Sequence, residues 1–244
     1  MTIVGLIPAR FASVRFPAKP LALLAGKPMV VHVLDAARSA TRLDRVAVAT
    51  DDERIADAVR KAGGEAVLTS PECASGTDRL AEAARAIPAD VYVNIQGDEP
   101  LMSSANIDAA VEALTASAER EIASVWVPLP AADSVDPNSV KVVVASDGRA
   151  LYFSRAPIPF PRAGEAAYRK HLGLYAYRAE TLQKIARLPP SPLERLESLE
   201  QLRWLEAGYA IWMGKAASDS IGVDTLEDLE KAEEWMRARL EASA

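Results

Sequence analysis

The sequence predicts an α/β protein with a mainly parallel sheet, helices on both faces and a β-rich insertion. Three observations carry that prediction. Short apolar, β-branched runs alternate with helical patterns through residue 117, with short links between them, as successive βαβ units require. After residue 120 the alternation stops, and β-rich runs succeed one another across turn sequences. Helical patterns return only toward the C-terminal end.

Each element has its own local signal. "TIVGLI" (2–7) is an apolar run ending at a proline, which reads as a buried strand. "PMVVHVLDAARSA" (28–40) opens with proline at a first helical position and continues apolar at helical spacing. "RVAVAT" (45–50) is a second strand, and the helix in "DDERIADAVRKAGG" has acidic residues at its start and glycines at its end. "EAVLT" (65–69), "SGTDRLAEAARAI" (75–87), "DVYVNI" (90–95) and "SANIDAAVEALTAS" (104–117) continue as strand, helix, strand, helix. The β-rich runs are "EIASVWVPLP", "SVKVVVASDGRALYFSR" and "KHLGLYAYR", and Asp147-Gly148 suits a tight hairpin turn. "SPLERLESLEQLRWLEAG" (191–208) and "DTLEDLEKAEEWMRARLEA" (224–242) read as helical.

The 244 residues fit one large domain, 1–244, with approximately 121–180 as a β-rich extension within it. Half the residues are hydrophobic, enough for a sizeable core. The net charge of −6 argues against a nucleic-acid partner, because no broad basic surface is available to displace counterions. Cys73 is the single cysteine, which excludes an internal disulfide framework and points to a reducing, cytoplasmic home. The N-terminal apolar run is broken by Pro8 and Arg10, unlike a signal peptide, and no apolar stretch approaches the ~20 residues of a membrane span.

Against this acidic background one short stretch is purely basic. "GLIPARFASVRFPAKPL" (5–21) holds Arg10, Arg15 and Lys19, and the first acidic residue is Asp35. It matches neither the P-loop nor the dinucleotide fingerprint. It still has what a phosphate site needs, which is cations within reach and prolines that limit the loop's freedom. The other reading is an ordinary solvated basic loop. "NIQGDEP" (94–100) sets Asp98 at a strand end behind a glycine that permits close backbone approach, and reads equally as an Mg²⁺ carboxylate or a turn. "IGVDTLEDLE" offers Asp224 either as a ligand or as a helix cap with Glu227.

"ASGTDRL" (74–80) opens a helix at Ser75, a usual place for an anion, and Arg79 either points to a cleft or pairs on a solvated face. His171 shares a strand face with Tyr175 and Tyr177, while His32 reads as packing. Triad chemistry has little support, since no GxSxG elbow is present. In parallel sheets ligands bind beyond the carboxyl ends of the strands, which gathers "PARFASVR", "TDD" and "QGDEP" into one expected cleft.

The motifs "IPARFASVRFPAKPLALLAGKPMVVHVL", "VATDDERI", "SGTDRLAE", "VNIQGDEPLM", "NSVKVVV", "LYFSRAPIPF", "KHLGLYAYR", "SPLERLESLEQLR" and "GVDTLEDLE" resemble, in order, the 3-deoxy-D-manno-octulosonate (Kdo) cytidylyltransferase family. The likeness spans nearly the whole chain. The first loop and "QGDEP" are shared more loosely by other sugar nucleotidyltransferases. The resemblance implies a Rossmann-like nucleotidyltransferase fold of the nucleotide-diphospho-sugar transferase type and a homodimer. It also implies Mg²⁺-dependent transfer of CMP from CTP to Kdo for lipopolysaccharide biosynthesis in the cytoplasm, with no membrane insertion. It makes Lys19, Asp98 and Asp224 catalytic, with Asp98 and Asp224 holding the metal. Arg10, Arg15 and Lys19 would bind the triphosphate, and Thr50, Ser75, Arg79 and Gln96 would surround the nucleotide. Arg155, His171, Tyr175, Glu200 and Gln201 would take the sugar acid.

This chain departs from the family pattern at three positions. Ala18 stands where the family's loop has glycine before the lysine, Val14 replaces a hydroxyl residue, and Leu226 replaces proline after "VDT". Two alternatives remain beside the resemblance: activation of 8-amino-Kdo or another acidic sugar, and a non-catalytic nucleotide-binding dimer.

Overall fold

The computed structural model describes residues 1–12 and 16–242, with side chains described through residue 238. The chain divides into two compact units, residues 1–108 with 220–244 and residues 109–219.

In the first unit the apolar runs become strands because both their faces are covered. β1 (Ile3–Ala9) is almost wholly buried. Two short strands, β2 (Leu23–Leu24) and β3 (Lys27–Pro28), form a small antiparallel pair ahead of helix α1 (Met29–Arg38). Then come β4 (Arg45–Thr50), α2 (Glu53–Lys61), β5 (Glu65–Leu68), α3 (Gly76–Ala86) and β6 (Val91–Asn94). Helix α4 (Ser104–Thr115) comes next. The four longer strands lie in the order β6, β1, β4, β5, and all their pairings are parallel. The carboxyl ends of β1, β4 and β6 therefore open on the same edge of the sheet.

The second unit holds the β-rich stretch together with three short helices and a last strand. β7 (Ile122–Leu129) pairs antiparallel with the long β10 (Tyr168–Arg178), with an irregularity between Leu172 and Tyr175. β8 (Lys141–Val144) and β9 (Ala150–Ser154) form the hairpin expected at Asp147-Gly148, where Gly148 takes φ 93°. Helices α5 (Ala179–Ile185), α6 (Pro192–Glu197) and α7 (Gln201–Glu206) lead to β11 (Ile211–Lys215), which runs parallel to β7. The helical text of 191–208 is two helices, because Ser198 at the end of α6 adopts a left-handed backbone, φ 53°. The final helix α8 (Leu226–Ala242) belongs to the first unit. Among the described residues no helix is long and apolar enough to cross a membrane.

Candidate active site

The first loop returns to the sheet through a turn that begins at Ala18. Its backbone is left-handed, φ 57° and ψ 23°, the conformation glycine adopts without cost and alanine does not. Ala18 donates its N–H to the Phe11 carbonyl at 3.2 Å, and its own carbonyl accepts from Leu21 at 2.8 Å. Lys19 is thereby fixed at the start of a short 3-10 turn, with its side chain largely buried.

Lys19 Nζ donates to Asp98 Oδ2 at 2.7 Å and to Asp224 Oδ1 at 3.0 Å. Burial alone would lower the pKa of the ammonium, but the two carboxylates outweigh it and raise it above its ordinary value. Three charged groups from distant parts of the sequence thus meet at one point. Both carboxylates stay wet, with side-chain exposures of 37% for Asp98 and 47% for Asp224.

Backbone packing explains how the two acids arrive there. A Cβ at Gly97 would lie 2.5 Å from the Pro8 carbonyl oxygen, so only glycine lets the turn after β6 press against the end of β1. Asp98 then accepts the Val223 N–H on its carbonyl at 2.8 Å, which ties in the segment before α8. Val223 and Ala232 are buried with Leu24, Met29 and Leu101, and Trp235 and Met236 pack against them.

Asp224 is not the cap of α8. Thr225 Oγ1 accepts the Asp228 N–H at 3.2 Å, and Asp228 Oδ2 accepts the N–H groups of Asp224 and Thr225. The capping pair is Thr225 with Asp228, one residue on from the pairing of Asp224 with Glu227 that the sequence suggested. The Asp224 carboxylate reaches Lys19 instead.

The loop after β4 supports the first loop. Phe11 donates its N–H to Asp51 Oδ1 at 3.2 Å, and the Arg54 guanidinium lies 3.5 Å from the centre of the Phe11 ring. Arg79 is buried and donates to Asp51 Oδ2 at 3.0 Å and to Thr69 Oγ1 at 2.6 Å. It therefore does not lie on a solvated face. Thr50 is buried, and its hydroxyl accepts the Asp52 N–H at 3.3 Å. Ser75 forms a complete capping box with Asp78 at the start of α3. Gln96 is half-buried, and its carbonyl accepts the Glu99 N–H at 3.1 Å. Arg10 is exposed beyond β1. Arg15 and Val14 lie outside the described residues. The expected convergence of the three loops is therefore seen in the contacts of Phe11 with Asp51, Gly97 with Pro8 and Lys19 with Asp98.

In the second unit the sugar candidates fall into two groups. His171 is fully enclosed, with Nε2 2.8 Å from Ser124 Oγ, and the Phe153 and Tyr175 rings are 4.8 and 5.3 Å away. Burial pushes its pKa down to about 3, so the imidazole is neutral. Tyr175 also packs edge-on against Trp204 at 5.0 Å.

Arg155 is committed to the backbone. Its Nε donates to the Glu197 carbonyl at 2.7 Å, and its terminal nitrogens donate to the carbonyls of Pro137 and Ser198. Glu197 accepts from Ser154 Oγ and the Arg155 N–H. This knot borders the break at Ser198, just before Glu200 and the buried Gln201. Glu200 lies 4.0 Å from Arg203, which forms a bidentate pair with Glu194. Lys141 was not singled out from the sequence. It is fully buried, donates to the carbonyls of Asp136 and Arg155, and has a pKa lowered by that burial.

Among the described residues no group of three or more His, Cys, Asp or Glu side chains is arranged to hold a metal. Asp98 and Asp224 converge on the Lys19 ammonium, and both are partly open to water. That donor set fits Mg²⁺, which prefers few protein carboxylates and completes its shell with water and phosphate oxygens.

Parallel sheet, basic first loop and paired carboxylates define the chain as a nucleotidyltransferase, and comparison with known proteins narrows this. The sequence profile of the family described as Cytidylyltransferase matches residues 4–215. The chain belongs to the 3-deoxy-manno-octulosonate cytidylyltransferase family. A member from Syntrophobacter fumaroxidans is 56% identical over 94% of this chain and 95% of its own length. One from Acidobacterium capsulatum is 48% identical over 98% of both chains. A solved structure of a CMP:2-keto-3-deoxy-manno-octonic acid synthetase complexed with CTP superposes with a TM-score of 0.94 at 42% identity. That superposition covers 98% of this chain and 100% of that one.

Proposed function

We propose that the protein activates Kdo with CTP, giving CMP-Kdo and pyrophosphate for lipopolysaccharide assembly. The observation that carries this is the meeting of Lys19 with Asp98 and Asp224, three residues drawn from separate segments to the carboxyl edge of a parallel sheet. Such a knot suits a polyanion that arrives with its own counter-ion.

In the reaction, the anomeric hydroxyl of Kdo attacks the α-phosphorus of CTP. The new O–P bond forms as the bond to pyrophosphate breaks, and the hydroxyl proton passes to solvent. Little covalent work falls to the protein, so holding the groups in line and neutralising charge are its main contributions. Lys19 and Arg10 bind triphosphate oxygens, and Arg15 helps by family likeness. Asp98 and Asp224 would hold Mg²⁺, which supplies neutralising charge to the phosphate oxygens.

Thr50, Ser75, Arg79 and Gln96 line the nucleotide side. Arg79 acts there through its buried pair with Asp51. Arg155, His171, Tyr175, Glu200 and Gln201 serve the sugar acid. His171, being neutral, contributes hydrogen bonding and shape rather than charge. We further read residues 1–244 as one catalytic domain, approximately 121–180 as its sugar-binding and dimerisation extension, and the working form as a cytoplasmic homodimer.

The test is pyrophosphate release by the purified protein with Mg²⁺, crossing CTP, UTP, ATP and GTP against Kdo, 8-amino-Kdo and N-acetylneuraminate. Release confined to CTP with Kdo is expected. Release with CTP and another acid would replace the sugar, and no release from folded protein with any pair would overturn the proposal.

A further inference from the structure

We propose that Asp51 is a positioning residue for Lys19. A relay of Asp51, Phe11 and Ala18, backed by Arg79, sets where the lysine ammonium stands. The proposal rests on the reading of Lys19 as a ligand of the CTP phosphates.

The relay is continuous. Arg79 and Asp51 form an ion pair at 3.0 Å, with side-chain exposures of 4% and 12%. The second bond of Arg79, to Thr69 at 2.6 Å, holds the guanidinium to the end of β5, because Thr69 donates its own N–H to the Thr50 carbonyl at 2.9 Å. One Asp51 oxygen is thus used by Arg79, and the other accepts the Phe11 N–H at 3.2 Å. Phe11 is held from a second side by Arg54, which stacks on its ring while forming a fork with Asp52 at 2.6 and 2.9 Å. The Phe11 carbonyl then accepts from Ala18 at 3.2 Å, and Ala18 carries the left-handed turn that aims Lys19.

A part-buried carboxylate with one oxygen on a buried arginine cannot rotate freely, so it makes a rigid acceptor for a loop N–H. The strained backbone of Ala18 needs such an anchor, because an alanine held at positive φ otherwise relaxes. Asp51 touches no reacting group in this scheme, so its effect on turnover passes through Lys19. Supporting groups of this kind cost about 10–100-fold in affinity or activity when removed.

Asp51→Ala tests it, with Asp51→Asn as the isosteric partner, since Asn keeps one acceptor oxygen and strains the buried arginine less. Three readouts are taken on each protein: thermal midpoint, KM for CTP and for Kdo, and acylation of Lys19 by acetic anhydride read by mass spectrometry. The expected result for Asp51→Ala is a rise of about tenfold in KM for CTP with KM for Kdo unchanged. Lys19 acylation should rise in parallel, and Asp51→Asn should fall between wild type and Ala.

A folded variant with unchanged KM for CTP and unchanged Lys19 acylation would overturn the relay. So would a variant in which both KM values and the thermal midpoint shift together, which is what general loosening gives. If Asp51→Ala does not fold, Asp51→Asn decides by the same readouts. If wild type shows no turnover with CTP and Kdo, the functional reading fails while Lys19 acylation still decides the relay.

Discussion

The lysine knot of the first unit and the aromatic interior of the second treat ionisable side chains in opposite ways. Lys19 is kept charged at some cost in burial, because Asp98 and Asp224 overcome the desolvation that would lower it. His171 has no such partner. Ser124 and the rings of Phe153 and Tyr175 surround it, and burial alone decides its state. The contrast separates an ammonium held charged by two carboxylates from an imidazole kept neutral by burial. The lesson is that burial does not fix the role of an ionisable residue, while its counter-charges do.

The largest effect should come from the carboxylates of the knot. Asp98→Asn and Asp224→Asn each remove a negative charge with almost no change in shape, and turnover should fall about a thousandfold in steady-state assays. The far-ultraviolet circular dichroism of both variants should match wild type. Near-normal turnover in either would remove that residue from the charged site and break the contrast on its charged side.

Lys19→Ala comes next. It removes the cation and leaves two carboxylates facing one another, so KM for CTP should rise roughly 10–100-fold, the worth of one hydrogen bond to a charged group. KM for Kdo should stay nearly level. A larger effect on Kdo than on CTP would place Lys19 on the sugar instead.

The neutral side of the comparison is tested by pH. A histidine neutral in the folded state down to about pH 3 leaves the unfolded chain to bind the extra proton first. Stability is therefore full above the ordinary histidine range near pH 6.5 and is lost as pH falls from there toward 3. His171 should contribute a slope of about 1.4 kcal/mol per pH unit in that window. Denaturant titrations of wild type and His171→Gln at pH 7 and pH 5 should show a shallower acid loss in the variant. Equal slopes would mean that His171 is charged or solvated.

The smallest effect belongs to Ala18. Glycine at this position relieves a left-handed alanine, partly offset by the greater freedom it gives the unfolded chain, so Ala18→Gly should stabilise by about 0.5–1 kcal/mol. A calorimetric midpoint below wild type would show that the turn is not strained.

Much of this was legible in the sequence because it depends on local periodicity. The four parallel strands, the hairpin at Asp147-Gly148 and the cap at Ser75 arise from patterns within a few residues. The glycine before Asp98 was also readable, and the structure supplies its reason in the Pro8 carbonyl.

The features hidden from sequence reasoning depend on contacts made across long spans. The break at Ser198 lies inside a run of good helix formers, and it is bordered by Arg155 and by Glu197, whose partners lie more than forty residues away. "DTLED" contains two possible capping pairs one residue apart; the later one is used, while Asp224 turns to Lys19. From the sequence, Asp51 reads as an acidic residue at a helix start and as part of the "TDD" loop of the expected cleft. Its role becomes visible only when Arg79 and Phe11 are seen on its two oxygens. β11 was missed because five residues carry a weak signal, although the apolar run Ile211-Trp212-Met213 would have been the clue.

The central claim is that Asp98 and Asp224 form the charged site where the triphosphate and its metal are held. Calorimetric titration of Mg²⁺ into the protein saturated with CTP, for wild type and for Asp224→Asn, tests it most directly. The account predicts metal binding in wild type that is lost or strongly weakened in the variant, while the variant still binds CTP. Equal Mg²⁺ affinity in the two proteins would contradict it.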